Sequence, residues 1–310
     1  MQTNESKKLE QYLSACQDSY KECIDVIEHS ETIKGVNTNL RFHHLKFDGN
    51  SQPMIDSLAE TLYRHIMDYC ISAKERPNSL ASHEAMRLAK QARQLFRHPE
   101  QTGSSSDTTG EAGEILLYFL LESVLKAPQI VAKMDLKTNP KLEINGSDGI
   151  HMHWNENDNL MDIFFGEAKL YQTYGKAIED ALTSINSFHD ENMLQHEFWM
   201  VTQHFKYADD ETKKAILQLV NNGTTNNGVR INHACLIGYN SISYKNLSST
   251  NSSEITKEFK DKYLQHTTKL AKTLQTKFDK FDKKHLKFEV FFIPFPSVQE
   301  FRDAFNKALN

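Results

Sequence analysis

The chain has no stretch apolar enough to enter a bilayer. Its longest apolar run, residues 115–121, falls far short of the roughly 20 residues that a membrane helix needs. The opening residues, MQTNESKKLEQYL, are polar and carry no apolar signal core. Cysteine is scarce: Cys16, Cys23, Cys70 and Cys235 are scattered, with no CxxC and no Cys/His cluster. That pattern suits reduced, packed thiols and sets aside a disulfide framework or a zinc module. There is no excess of positive charge either. With a net charge of −5, any contact with nucleic acid must come from a local basic face. No GxxxxGK[ST] loop is present to cradle ATP, and no GxSxG elbow to present a serine nucleophile. Internal repeats and long low-complexity tracts are also lacking. The expectation is a soluble, cytoplasmic chain of 310 residues, long enough to bury a large core.

The first hundred residues read as mainly helical. Leu9, Leu13, Cys16, Tyr20, Cys23 and Ile27 recur at helical spacing over residues 5–28. Residues 39–47 read as a strand, Pro53 opens a helix through residue 71, and residues 80–97 form another. A Ser/Thr/Gly stretch at 101–110 is the best internal boundary, dividing a helical region (1–100) from the rest (101–310). Residues 111–126 then form a strongly apolar helix, stopped by Pro128. Strands are expected at 130–136, 150–154 and 160–170, and a helix at 174–189. Residues 197–204 are ambiguous, 209–221 helical, and 229–239 a strand. A long charged helix follows at 254–282, then a strand at 286–294 and a last helix at 298–309. This order predicts an α/β fold with a mixed central sheet flanked by helices.

The chemistry concentrates in residues 147–170, SDGIHMHWNENDNLMDIFFGEAKL. Side chains i and i+2 of a strand share a face, so Glu167 and Lys169 project together. A carboxylate-x-Lys tripeptide proves little alone, since the chain contains six of them. Glu167/Lys169 is the pair that ends a buried-looking strand, where charge is costly without a partner such as a metal. It also has an Asp-Gly, Asp148-Gly149, about one hairpin earlier, where a tight turn would aim Asp148 at the same spot. Hard oxygen ligands from Asp148, Glu167 and the carbonyl of Ala168 suit a hydrated Mg²⁺ (or Mn²⁺), with positions left for water and phosphate. The cation would activate the water. Lys169, its pKa depressed by the metal, would orient or deprotonate that water or stabilise developing charge. Glu111 and Glu114 share a helix face upstream. Glu114 is a supporting candidate, although acids in a first helical turn also simply complement the macrodipole.

A helix with an acid, an Asp-Gly strand and then Glu-Ala-Lys resembles the PD-(D/E)xK, restriction-endonuclease-like nucleases. Asp148 and Glu167 stand for the family's two acids and Lys169 for its lysine; Ser147 replaces the proline that often precedes the Asp. Over its length the chain is similar to the HamA family, the nuclease subunits of the Hachiman anti-phage system. The helical N-terminal part, the His43-His44 strand, the GEAGE helix start and the GEAK strand carry that likeness. The resemblance implies a restriction-endonuclease-like fold and a DNA nuclease restrained and released by a partner helicase. Two other readings stay open: a non-catalytic scaffold or nucleic-acid-binding subunit, and an RNase with the same site, since the motif reads a phosphodiester rather than a 2′-hydroxyl.

Other features compete for attention. His151 and His153 form His-x-His on one strand face, which suits either a transition metal or a groove-lining polar pair. His43 and His44 alternate in facing and favour a structural role. Gln172, Tyr174 and Lys176 follow the Glu-Ala-Lys strand and would meet phosphate at a helix start. Residues 254–289 hold ten lysines against six acids, either a DNA-facing surface or a solvated helix rich in i,i+4 pairs.

Overall fold

The computed structural model describes residues 9–15, 17–71, 80–96, 110–136, 146–190, 204, 229–245, 247 and 251–310. Apart from residues 110 and 204, the boundary loop at 101–110, the ambiguous stretch at 197–204 and the helix expected at 209–221 lie outside these, as does Cys16. The described residues form a seven-stranded mixed sheet with helices on both faces, the α/β architecture expected from the sequence.

The strands are β1 (Ile24–Ile27), β2 (Asn37–Leu45), β3 (Gln129–Val131), β4 (Ile150–Asn155), β5 (Leu160–Tyr171), β6 (Val229–Asn240) and β7 (Lys287–Phe295), in spatial order β1-β2-β7-β6-β5-β4-β3. The centre, β2-β7-β6-β5, is parallel; β1 at one edge and β4 with β3 at the other run antiparallel to their neighbours. The central strands are buried on both faces, hence the near-continuous apolar runs FEVFFIPF and HACLIGY.

The helices are α1 (Gln17–Cys23), α2 (Ile55–Arg64), α3 (Ile66–Cys70), α4 (Ser82–Leu95), α5 (Glu111–Leu125), α6 (Tyr174–Asp190), α7 (Ser252–Phe278) and α8 (Val298–Leu309). One core lies between the sheet and α2–α5 with α8; the other lies between the sheet and α6 with α7. Helix α5 is buried nearly all round, from Glu111 to Ser123 with Glu114 as the half-buried exception, which is why its sequence lacks an amphipathic stripe. It ends where Lys126 turns left-handed (φ 54°) and the Ala127 N–H donates back to the Leu121 carbonyl at 3.1 Å. Cys23, Cys70 and Cys235 are buried thiols, not disulfides.

Two differences from the sequence reading matter. The helix expected across 5–28 becomes a short helix and then β1, because Ile24–Ile27 find partners in Leu45–Phe42 of β2. Residues before 100 therefore supply two strands of the sheet, and β2 pairs in parallel with β7 near the other end of the chain. The N-terminal stretch is also tied to α5. Fully buried Glu122 accepts the Ser14 and Ala15 N–H groups, each at 2.8 Å, and the Ser14 hydroxyl at 2.7 Å on Oε2, and the Gln129 N–H at 3.0 Å on Oε1.

Candidate active site

The β4–β5 pairing runs on past the formal start of β4. The Asp148 N–H donates to the Gly166 carbonyl and the Gly166 N–H to the Gly149 carbonyl, both at 2.9 Å. The chain bends at Gly146, whose φ of 115° is open to glycine, and again at Asp148 in the Asp-Gly pair. Asp148 then lies beside the end of β5, where its Oδ2 accepts the Ala168 N–H at 2.6 Å. Glu167 and Lys169 project from the same face of β5, joined by an ion pair of 2.7 Å (Nζ to Oε1). Ala168 thus joins Asp148 through its N–H, in addition to the carbonyl expected as a ligand.

Helix α5 brings Glu114 to the same end of the sheet. Gly113 makes that approach possible: a Cβ there would stand 3.1 Å from Leu170 Cγ and 3.3 Å from Ala168 Cβ. Glu114 accepts the Tyr69 hydroxyl at 3.3 Å, and Glu111 is buried close by. Tyr69, from α3, is a member of the site that sequence reasoning missed. It stands 45 residues before Glu114, and nothing in the local pattern of IMDYC points to it.

The electrostatics of the cluster are unbalanced. Burial, then the charges of Glu167 and Glu114, hold the Asp148 carboxyl well above the usual carboxylate range, against the pull of the Ala168 N–H and Lys169. For Lys169, burial pushes the ammonium down, but Glu167 and then Asp148 outweigh it and the net shift is upward. The protein's own charges therefore oppose the metal-driven depression expected from the sequence. Asp148 Oδ1 and Glu167 Oε2 receive no hydrogen bond from the described residues. Among those residues, no three His, Cys, Asp or Glu side chains close into a metal cage, so Glu114 stays within electrostatic reach without completing one. Two carboxylates with an unengaged oxygen each, short of cations, fit an open and largely hydrated divalent ion.

The histidines do not join this cluster. His151 Nδ1 lies 2.8 Å from the Ala127 carbonyl and His153 Nδ1 3.3 Å from the Lys126 carbonyl. A carbonyl only accepts, so both imidazoles carry the proton on Nδ1 and close the C-terminal end of α5. His43 is buried against Tyr20, with Nδ1 2.6 Å from its hydroxyl, and burial lowers its pKa to about 3; His44 is likewise buried and lowered to about 4. The lysine-rich helix α7 spends part of its charge on ion pairs: Lys260 with Asp25 at 2.6 Å, Lys262 with Glu258 at 2.8 Å and Lys277 with Glu179 at 2.7 Å.

The family model described as HamA matches residues 18–309, from α1 to the end of α8. The chain belongs to the HamA family. Membership makes it an anti-phage defence protein of the Hachiman type. No curated protein matches it. In this HamA-family chain, the three residues expected beyond the Glu-Ala-Lys strand part company. Gln172 is exposed, while Tyr174 packs edge-on against Tyr239 and His266. Lys176 lies over the Tyr171 ring, its Nζ 5.6 Å from the centroid. No helix among the described residues is long and apolar enough to cross a membrane.

Proposed function

We propose that this HamA-family chain is a metal-dependent DNA nuclease, with Asp148, Glu167 and Lys169 as its active site and a partner helicase as its control. The observation that carries the reading is the crowding of Asp148 by Glu167 and Glu114 with Lys169 at hand, a set of hard oxygens that a divalent cation would relieve. Asp148 and Glu167, with the Ala168 carbonyl, would hold Mg²⁺ or Mn²⁺. When bound, such a cation supplies Lewis acidity, lowering the pKa of a water and offsetting charge on a phosphate.

The chain's own residues do the positioning. The Ala168 N–H fixes one oxygen of Asp148 and leaves the other directed to its task. Glu167 holds the Lys169 ammonium in place, and with Asp148 keeps it protonated. Lys169 orients the attacking water or stabilises the negative charge that grows on the attacked phosphodiester. Glu114, oriented by Tyr69, is placed to accept a hydrogen bond from a water near that phosphate. No Walker loop is present, so any ATP-driven step belongs to the partner.

The test is a Glu167→Ala/Lys169→Ala double variant. It is expected to fold, to bind its partner, and to lose Mg²⁺-dependent cleavage of plasmid DNA. Unchanged cleavage sinks the site. Wild-type protein that cuts nothing, alone or with partner and ATP, sinks the nuclease reading in favour of a nucleic-acid-binding subunit. Cleavage of RNA but not DNA moves the substrate class.

A further inference from the structure

Past Lys169, the face of β5 that carries Glu167 continues to Tyr171, and the charge there changes sign. Lys176 of α6 lies over the Tyr171 ring, 5.6 Å from its centroid. From the opposite side of the sheet, Arg302 of α8 reaches round the end of β5 and donates from Nη2 to the Leu170 carbonyl at 2.8 Å. Asp180, Lys169 and Arg302 are all close enough to bear on the Tyr171 hydroxyl, the acid against the two cations. Tyr171 and Arg302 are half-buried and Lys176 is exposed. The end of β5 thus changes character: carboxylates crowd the Asp148 side, while Lys176 and Arg302 flank an aromatic ring on the other, with Asp180 beside its hydroxyl and Lys169, paired to Glu167, between the two. Anions next to a site that would hold a cation have to be kept apart from its acids, and this division does so. Cations track a phosphate backbone, and an aromatic ring stacks on any unpaired base.

We propose that Tyr171, Arg302 and Lys176 form the seat for an unpaired stretch of the nucleic-acid strand beside the acidic site. Arg302 and Lys176 take its phosphates and Tyr171 takes a base. This inference rests on the nuclease reading of the neighbouring carboxylates. It also names the substrate form: a strand end, flap or single-stranded segment, in preference to a blunt, fully paired duplex.

The experiment is fluorescence anisotropy of a short labelled oligo(dT) with the full chain in EDTA, repeated across a salt series and against a blunt duplex. Wild type is expected to prefer oligo(dT). Tyr171→Ala should weaken that binding by at least about 5-fold while leaving the salt slope unchanged. Tyr171→Phe, which keeps the ring, should restore most of the loss. Arg302→Gln and Lys176→Gln should each reduce the magnitude of the log–log salt slope by about 0.7, and Arg302→Lys should bring it back. A merely structural Tyr171 or Arg302 would change melting temperature and not divide its effects this way. No binding of oligo(dT), equal binding of duplex, or variants that all bind like wild type overturns the seat. Plasmid cleavage with Mg²⁺ separates the two ideas. Cleavage with no effect of these variants on binding fells the seat alone; the expected binding pattern without cleavage by wild type fells the nuclease reading alone.

Discussion

An acid withdrawn from solvent lies near each end of strand β5, buried Asp162 within the strand and half-buried Asp148 beside it, and the two are treated in opposite ways. At the start, Asp162 receives Arg230 through two bonds of 2.6 and 2.8 Å, Asn232 at 2.8 Å and Asn155 at 3.1 Å, with Lys287 at 3.9 Å. Although burial pushes its carboxyl up, Arg230, Asn232 and Asn155 win and hold it below the usual range. At the other end Asp148 has one backbone donor and two carboxylate neighbours, and burial and those neighbours hold it above that range. Both acids cost desolvation, but only Asp162 gets the hydrogen bonds and cations that offset it. The contrast separates an acid that holds the sheet together from one kept short of partners, the usual mark of a functional site.

The largest effect that could break this contrast lies in activity. Glu167→Gln should lower Mg²⁺-dependent cleavage at least ~100-fold with little change in melting temperature; a plasmid assay that shows less than a few-fold loss would remove the functional half of the comparison. Next in size is Asp162→Ala. It removes the buried partner of Arg230, leaving that guanidinium only its 2.7 Å pair with Asp158, and should cost about 3 kcal/mol of stability, read by denaturant unfolding. Asp148→Asn should do the reverse, removing crowded charge and stabilising the fold by up to ~1 kcal/mol while cleavage is lost. If Asp148→Asn destabilises as much as Asp162→Ala, the two ends of β5 are alike after all.

Acid titration sharpens the point. Asp162, with its folded pKa depressed, contributes stability that is present above the ordinary carboxylate value of about 3.9 and is lost only as pH falls through its lower folded value. Asp148, with its folded pKa raised, costs stability when ionised, and that cost fades as pH falls through its folded value toward about 3.9. The advantage of Asp148→Asn over wild type, measured in EDTA, should therefore be greatest at neutral pH and shrink on acidification. Taking the difference between the two proteins cancels the buried histidines, which lose stability on their own as pH falls from 6.5 toward the values of about 3 held by His43 and His233. The smallest effect is at Tyr69→Phe: loss of one hydroxyl to Glu114 should cost about 1 kcal/mol or less, seen as a several-fold drop in cleavage.

The site was legible where its geometry is local. Two residues on a strand share a face whatever surrounds them, so the common facing of Glu167 and Lys169 followed from alternation, while the strand context and Asp148 singled that pair out of six, and the apolar run of α5 declared a buried helix. Asp148 was found because a hairpin brings its neighbours back by a short path. What failed depends on distant pairing. The periodicity of residues 5–28 is helical, yet Ile24–Ile27 take strand geometry because β2 offers a ladder. Tyr69, Arg302 and the Arg230 that partners Asp162 reach their places across 45, 132 and 68 residues, which no window can see. The His-x-His pair could not be assigned from its spacing, because a metal site needs further ligands gathered from a distance; among the described residues none complete such a group, and Nδ1 of each ring meets a carbonyl at the end of α5.

The buried carboxylate of Glu122 sets the unit in which such chains can trade parts. A recombination that brought in a foreign N-terminal stretch ahead of α5 would have to bring donors equivalent to Ser14 and Ala15, or leave Glu122 answered by the Gln129 N–H alone. Helix α5 is also the one that presents Glu114, eight residues and roughly 12 Å from Glu122. The N-terminal stretch and the acidic site thus rest on one helix, and a strain at one end has a short rigid path to the other.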